Sequence, residues 1–576
     1  MIMTSRFSRW SWIPVLLLLA AAWVFLQFKV PYQVGFKEQM GVFIASPEML
    51  SHYLSKPAML SEFLGDYLTQ YFYLDFGGPL IISFCLLLLW LGLTVSLKKL
   101  GCGDASAYMA FLPVIIEFYC VIWLNYVFSM TIGLILSVWI FVACSGIKSE
   151  KTLLAVFAVM MPITYLLAGA HMVTMLVLML MLRRRNILPA IVVAISGLLM
   201  ELVIGRLLGL DASQTFVYPL IMRYTMPSVI TLVSLPCSII LFTVLARFNV
   251  RPIVFLLVDM AALPFAMWRV YLPENEFNVE IATHAYRNEW DKVKEMAIEN
   301  PSNGEIGIFY RNLCFARENA LAENLMKYYQ TPYGGLQFAV QPGTGYLPIF
   351  CAIDGLLEVG DISQANDCAL LCHTVMPRND SSRMLRKLAE IAIIQEDYAV
   401  AQKYLRMLSK TRFHKAWAKD ISDHLKNGEI PGQLMLYRLS APHTDAFFHQ
   451  NNWMESLALV VKLNEENKTA LDYLLCSHLL GKNVNSFVGL YEKYYMPRYA
   501  DKMPVPDVYQ EALLSSVQSP DEYYEVCRKY NISDSIANNW MQFSLALTDH
   551  DQTRLNQFKE TYWYYLTTTK IVVPEK

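Results

Sequence analysis

Residues 252–273, PIVFLLVDMAALPFAMWRVYLP, divide the chain into two unlike polymers, and the reading of the whole begins there. The run is apolar for about the ~20 residues a helix needs to cross ~30 Å of hydrocarbon. Trp268 and Tyr271 stand where an interfacial aromatic belt would lie, and Pro273 closes it. It reads as the last transmembrane helix, with membrane-compatible sequence before it and ordinary soluble sequence after it.

Composition agrees with that division. Of 576 residues, 55% are hydrophobic and only 17% charged, too apolar for an average soluble protein. Up to residue 272 there are 17 Lys and Arg against 11 Asp and Glu, leaving 30 against 38 beyond it. The formal net charge of -2 thus hides a basic membrane part and a mildly acidic tail. The tail has no Lys/Arg cluster, which argues against nucleic acid as a partner.

Working back from residue 252, apolar stretches at 11–29, 79–97, 107–124, 128–145, 152–168, 170–182, 187–205 and 228–246 read as further spans. The stretch 152–182 is too long for one span. A hairpin turning near Gly169-Ala170-His171 puts Lys98/Lys99, Lys148/Lys151, Arg183/Arg184/Arg185 and Arg247/Arg251 all on the side of Arg6 and Arg9. The expectation is therefore nine spans in a bacterial cytoplasmic membrane, amino terminus in the cytoplasm and carboxyl-terminal domain outside it. Residues 30–77 are too polar to cross, and their apolar positions recur at helical intervals, as in amphipathic helices on the outer surface.

From about 273 the chain reads as all-α and repetitive. Trp290, Ile362 and Tyr398 stand 72 and 36 residues apart, as do Val293, Ala365 and Ala401, in the phrases NEWDKVKEMA, GDISQANDCA and EDYAVAQKYL. Each reads as a turn followed by the second helix of a hairpin, whose units stack because one hairpin cannot bury its own apolar face. The fold class expected is a polytopic α-helical bundle over 1–272 followed by a helical-hairpin, tetratricopeptide-like domain over 273–576, with an irregular break near 427–452. No cofactor is implied. Cys368 and Cys372 share a helix face and His443 and His449 lie in the break beside Asp445, but neither set has the spacing of a metal site. The six tail cysteines, Cys314, Cys351, Cys368, Cys372, Cys476 and Cys527, permit disulfides without requiring them.

The phrases EQMGVF at 38–43 and FLGDYLTQYFYLDFGGPL at 63–80, with the order of parts, resemble an uncharacterised family of bacterial polytopic membrane proteins. That resemblance implies an envelope location and a fold, without an activity. The layout is also similar to the GT-C class of lipid-linked glycosyltransferases, which carry an essential acid in the first outer loop.

Ionisable groups within spans are costly and default to functional candidates. Glu117, Glu201, Arg206 and Arg223 all fall toward the outer side, as do the loop acids Glu38, Glu62, Asp66 and Asp75. Two arrangements compete. In one, Asp66, Asp75 or Glu38 is the base of a transferase, while Arg206, Arg223, Glu117 and Glu201 hold a lipid-phosphate-linked sugar. In the other, these charges are paired or solvated, the bundle anchors the tail, and the tail binds a protein or glycan partner. Asp259, in the last span, is expected to pair with Arg247 or Arg251; as a proton site it would point to a transporter.

Overall fold

The computed structural model describes residues 12–184, 187–219, 226–248, 250–299, 304–331, 335–341, 343–376, 381–442, 452–517 and 519–570. Regular structure among these is helical throughout. The chain forms two compact units. Unit 1 holds residues 1–276 together with 374–385 and 406–419, and unit 2 holds 277–373, 386–405 and 420–576. Two short stretches that the sequence places in the tail thus pack with the apolar bundle.

Unit 1 opens with α1 (Trp12–Phe28) and α2 (Pro31–Gln39), joined at a 70° bend. Pro31 starts α2 at a position where a missing N–H costs nothing, and the Glu276 carboxylate accepts from the free N–H groups of Tyr32 (2.7 Å) and Gln33 (3.2 Å). Then come α3 (Pro47–Leu54), α4 (Met59–Thr69), α5 (Gly77–Lys99), α6 (Gly103–Ile122), α7 (Ser129–Cys144), α8 (Glu150–Ala168), α9 (Met172–Leu182), α10 (Ile187–Leu207), α11 (Met226–Leu245) and α12 (Pro252–Val270). Among the described residues six helical stretches are long and apolar enough to cross a bilayer, or seven if the bent α1–α2 pair is one span. The chain is therefore a membrane protein, with fewer spans by helix length and composition than the nine expected.

The difference lies in α7, which is apolar but only 16 residues long, and in 150–182, which by continuity of helix is one stretch of 33 residues. Geometry shows that this stretch is folded. Arg183 Nη1 lies 3.9 Å from Glu150 Oε1, and the Thr164 hydroxyl lies 3.0 Å from Met175 Sδ. A straight helix would hold Glu150 and Arg183 ~50 Å apart. The fold-back occurs at Gly169, whose φ of +63° favours glycine, in the turn Gly169–His171. A Cβ there would meet the Tyr218 carbonyl oxygen at 2.6 Å, so no larger residue fits.

The hairpin also gathers the basic clusters. Lys99 donates to Ser145 Oγ (2.7 Å) and to the Val142 carbonyl (3.0 Å), and Arg184 donates to the Thr243 carbonyl (3.3 Å). The ends of α5, α7, α9 and α11 and the start of α8 therefore meet at one end of the bundle.

Unit 2 is built from helical hairpins with one recurring corner. Asn288, Asn319, Gly360, Glu396, Lys482 and His550 all have φ between +54° and +84°, and each stands two residues before the next helix, which begins at Trp290, Leu321, Ile362, Tyr398, Val484 or Gln552. After each comes an N–H bonded to the carbonyl five residues back: Glu289 to His284, Ala320 to Phe315, Asp361 to Leu356, Asp397 to Ala392, Asn483 to His478 and Asp551 to Ala546. This is the Schellman closure, which satisfies carbonyls that a helix end leaves free. The three positions that set the sequence register, Val293, Ala365 and Ala401, are fully buried.

Candidate functional site

Of the charged residues singled out in the sequence, two from the first loop come together. The EQMGVF stretch leaves α2 and is clasped by the returning segments of unit 1. Ser381 Oγ donates to the Gln39 carbonyl (2.6 Å), Ser382 Oγ to the Glu38 carbonyl (3.1 Å), and Arg383 Nη1 to Gln39 Oε1 (3.1 Å). The Ser382 N–H reaches the Gly41 carbonyl (3.1 Å), and the Ala45 N–H reaches that of Lys410 (3.2 Å). These bonds fix Glu38, whose Oε1 lies 2.8 Å from His414 Nε2, with both side chains buried.

Asp66 comes from α4. Gly65 beside it allows α4 to seat on the start of α7, since a Cβ at Gly65 would lie 2.5 Å from Ser129 Cα. Asp66 Oδ2 accepts from the Tyr53 hydroxyl at 2.7 Å. Asp66 borders two small cavities. One, of about 30 Å³, is lined by Glu38, Phe43, Thr69, Gln70, Arg412 and His414 among others. The second, of about 50 Å³, includes Lys37, Thr69, Asn125 and Tyr126. Lys37 is buried and donates to the carbonyls of Trp123 (2.5 Å) and Tyr126 (3.0 Å). Cavities of this size hold one or a few waters.

The other candidates lie elsewhere. Asp75 is exposed and lines neither cavity. Arg206 pairs with Asp211 at 3.6 Å in an exposed corner at the end of α10, so among the described residues the cations beside the loop acids are Arg412 and Lys37 instead. Arg223 lies outside the described residues, as do His443, Asp445 and His449. Glu117 lines neither cavity; buried, it accepts from the Tyr126 hydroxyl (2.6 Å) and from the Thr131 hydroxyl. Glu201 is buried on α10, again away from both cavities. Glu62 is buried on α4. Asp259 is buried on α12 with Oδ2 unpartnered, and among the described residues no ion pair joins it to Arg247 or Arg251.

Arg412 and His414 were missed because nothing in their local sequence marks them. They stand in TRFHKAW, inside what reads as the repeat tail, and only tertiary packing brings them to the first loop. The described cysteines are all free. Among the described residues no group of three or more His, Cys, Asp and Glu stands together as a metal site would require.

Fold and composition define the class: a polytopic α-helical membrane protein with a second unit of helical hairpins. The chain belongs to the DUF6057 family, a family of unknown function, whose model matches residues 7–569. No curated protein and no solved structure matches it.

Proposed function

We infer that this protein anchors a helical-repeat module in a bacterial cytoplasmic membrane and presents it outside the cytoplasm, where it binds a protein or glycan partner in cell-envelope assembly. One observation supports this reading above the others. Unit 2 repeats the same left-handed corner, and stacked hairpins of that kind, tetratricopeptide-like in register, characteristically present extended binding surfaces. The orientation follows from charge. The basic clusters of α5, α8, α9 and α11 meet at one bundle end, and the positive-inside rule makes that end cytoplasmic. Nine crossings, counting α1, α7 and both arms of the α8–α9 hairpin, then carry the chain to the opposite side. Alkaline phosphatase fused after Lys576 is expected to be active, and fused after Arg184 inactive. The reverse pattern overturns the reading.

A second reading rests on a different observation. Two first-loop acids share a cavity with Arg412 and His414, as a group-transfer enzyme of GT-C-like layout acting on a lipid-phosphate-linked sugar would require of its base and phosphate clamp. Their cavities hold water rather than a sugar, so anchoring and binding stand first.

A further inference from the structure

Unit 2 contains a cavity of about 500 Å³, inside the ~300–1,000 Å³ range of small-molecule sites and far larger than those beside Asp66. One wall is the irregular segment Gln337–Gln341. A second is one face of the helix Ile362–Val375, which contributes Gln364, Asp367, Cys368 and Leu371 at the i, i+3, i+4, i+7 spacing of neighbouring turns. Trp453, the first residue of the helix Trp453–Leu463, completes it.

The lining has a definite chemistry. Among the described residues it contains no Lys, Arg or His that would select an anion. Phe338 and Trp453 are each partly exposed and offer aromatic faces. Gln337, Gln341 and Gln364 supply side-chain amides, each both donor and acceptor, and Asp367 supplies a carboxylate. Gln337 is buried, with its Nε2 donating to the Ala352 carbonyl at 3.3 Å, whereas Gln341 is exposed. The Cys368 thiol is pushed up to about 12 by burial, with Asp367 and Asp361 adding to the effect, so no thiolate is on hand to react. The cavity is equipped to bind rather than to transform.

Aromatic faces beside amides and a carboxylate are what a sugar ring requires. Its C–H face packs on an aromatic ring, while its hydroxyls both donate and accept. We propose that the cavity between Gln337–Gln341, the helix Ile362–Val375 and Trp453 binds a neutral oligosaccharide. This rests on the reading of unit 2 as a binding module and names its ligand class.

The test uses the full chain purified in a detergent without a sugar head group, so that detergent does not compete. Neutral trisaccharides of glucose, of mannose and of N-acetylglucosamine are examined by saturation-transfer NMR and titration calorimetry. At least one is expected to bind, with Trp453→Ala weakening it tenfold or more, and with Asp367→Asn, at an exposed position, weakening it threefold or more at an unchanged melting temperature. Gln341→Ala, at an exposed position, is expected to weaken binding threefold or more and carries the test if Trp453→Ala unfolds. No saturation transfer from any of the three, or binding indifferent to these substitutions, overturns the proposal. So does a result in which neutral peptides bind through Trp453 and the sugars do not, although unit 2 would then remain a binding module.

Discussion

Glu38 and His414 meet at 2.8 Å across 376 positions of sequence, both buried, and so tie the first loop to a segment that reads as part of the tail. Removing one partner leaves the other buried and unsatisfied. Glu38→Ala and His414→Ala are each expected to cost about 1–3 kcal/mol of unit 1 stability, while the double variant costs clearly less than the sum. Denaturant melts of the four proteins in detergent measure the coupling. Strict additivity would show that the pair contributes nothing.

The helical, membrane-compatible character of the chain was legible because membrane burial writes itself into composition, and the corners before Trp290, Ile362 and Tyr398 because a repeated corner needs repeated small or apolar residues. Val293, Ala365 and Ala401 occupy equivalent buried positions for that reason. The corners at Asn319, Lys482 and His550 were not legible, since a left-handed turn accepts Asn, Lys or His as well as Gly and fixes no phrase around it. The site was half legible. Burial cost pointed to acids in the first loop, but Arg412 and His414 come from a contact that leaves no periodicity, and Arg206 finds a local partner instead.

Equivalent corner positions should respond in opposite ways when their surroundings differ. Glu396 holds φ +64°, where glycine is preferred, so Glu396→Gly is expected to stabilise unit 2 by about 0.5 kcal/mol after loss of its surface pair with Arg438. Gly360 has φ +84°, and a Cβ there would lie 2.2 Å from the Ser440 carbonyl oxygen, so Gly360→Ala is expected to cost about 2 kcal/mol or more. Ala401→Asp, an unpaired charge in the core, should cost about 3 kcal/mol or more. Thermal melts rank the three; a stabilised Gly360→Ala or a neutral Ala401→Asp would refute the shared corner.

Glu511 gives unit 2 a pH dependence of definite sign. Buried beside Asp507, its carboxyl is pushed up to about 8, burial being the larger cause and the 2.6 Å bond from the Tyr562 N–H opposing it. Because the folded state then holds a proton that the unfolded chain releases near pH 4.5, stability falls as pH rises from about 4.5 to about 8, by as much as ~1 kcal/mol per pH unit. Glu511→Gln keeps the acceptor for Tyr562 and removes the titration. Urea melts from pH 5 to pH 8 should show a shallower slope for the variant; parallel slopes would mean that the carboxyl titrates normally.

The hairpin of α8 and α9 decides how many times the chain crosses, and it can be tested by distance alone. Thr164 Oγ1 and Met175 Sδ are 3.0 Å apart, whereas eleven residues of straight helix would separate their backbones by ~16 Å, beyond the reach of a short cross-link. The variant Thr164→Cys/Met175→Cys is therefore expected to be joined in membranes by a short bis-thiol-reactive reagent spanning ~5–8 Å, as read by mass spectrometry of the joined peptides. A control pair, Thr164→Cys with Leu182→Cys, places its second cysteine seven residues further along α9, about two helical turns from Met175, and is expected not to cross-link. If the first pair fails while the protein remains folded, 150–182 is one long helix. Arg184 would then lie across the membrane from Lys148, and the outward orientation of unit 2 would lose its support.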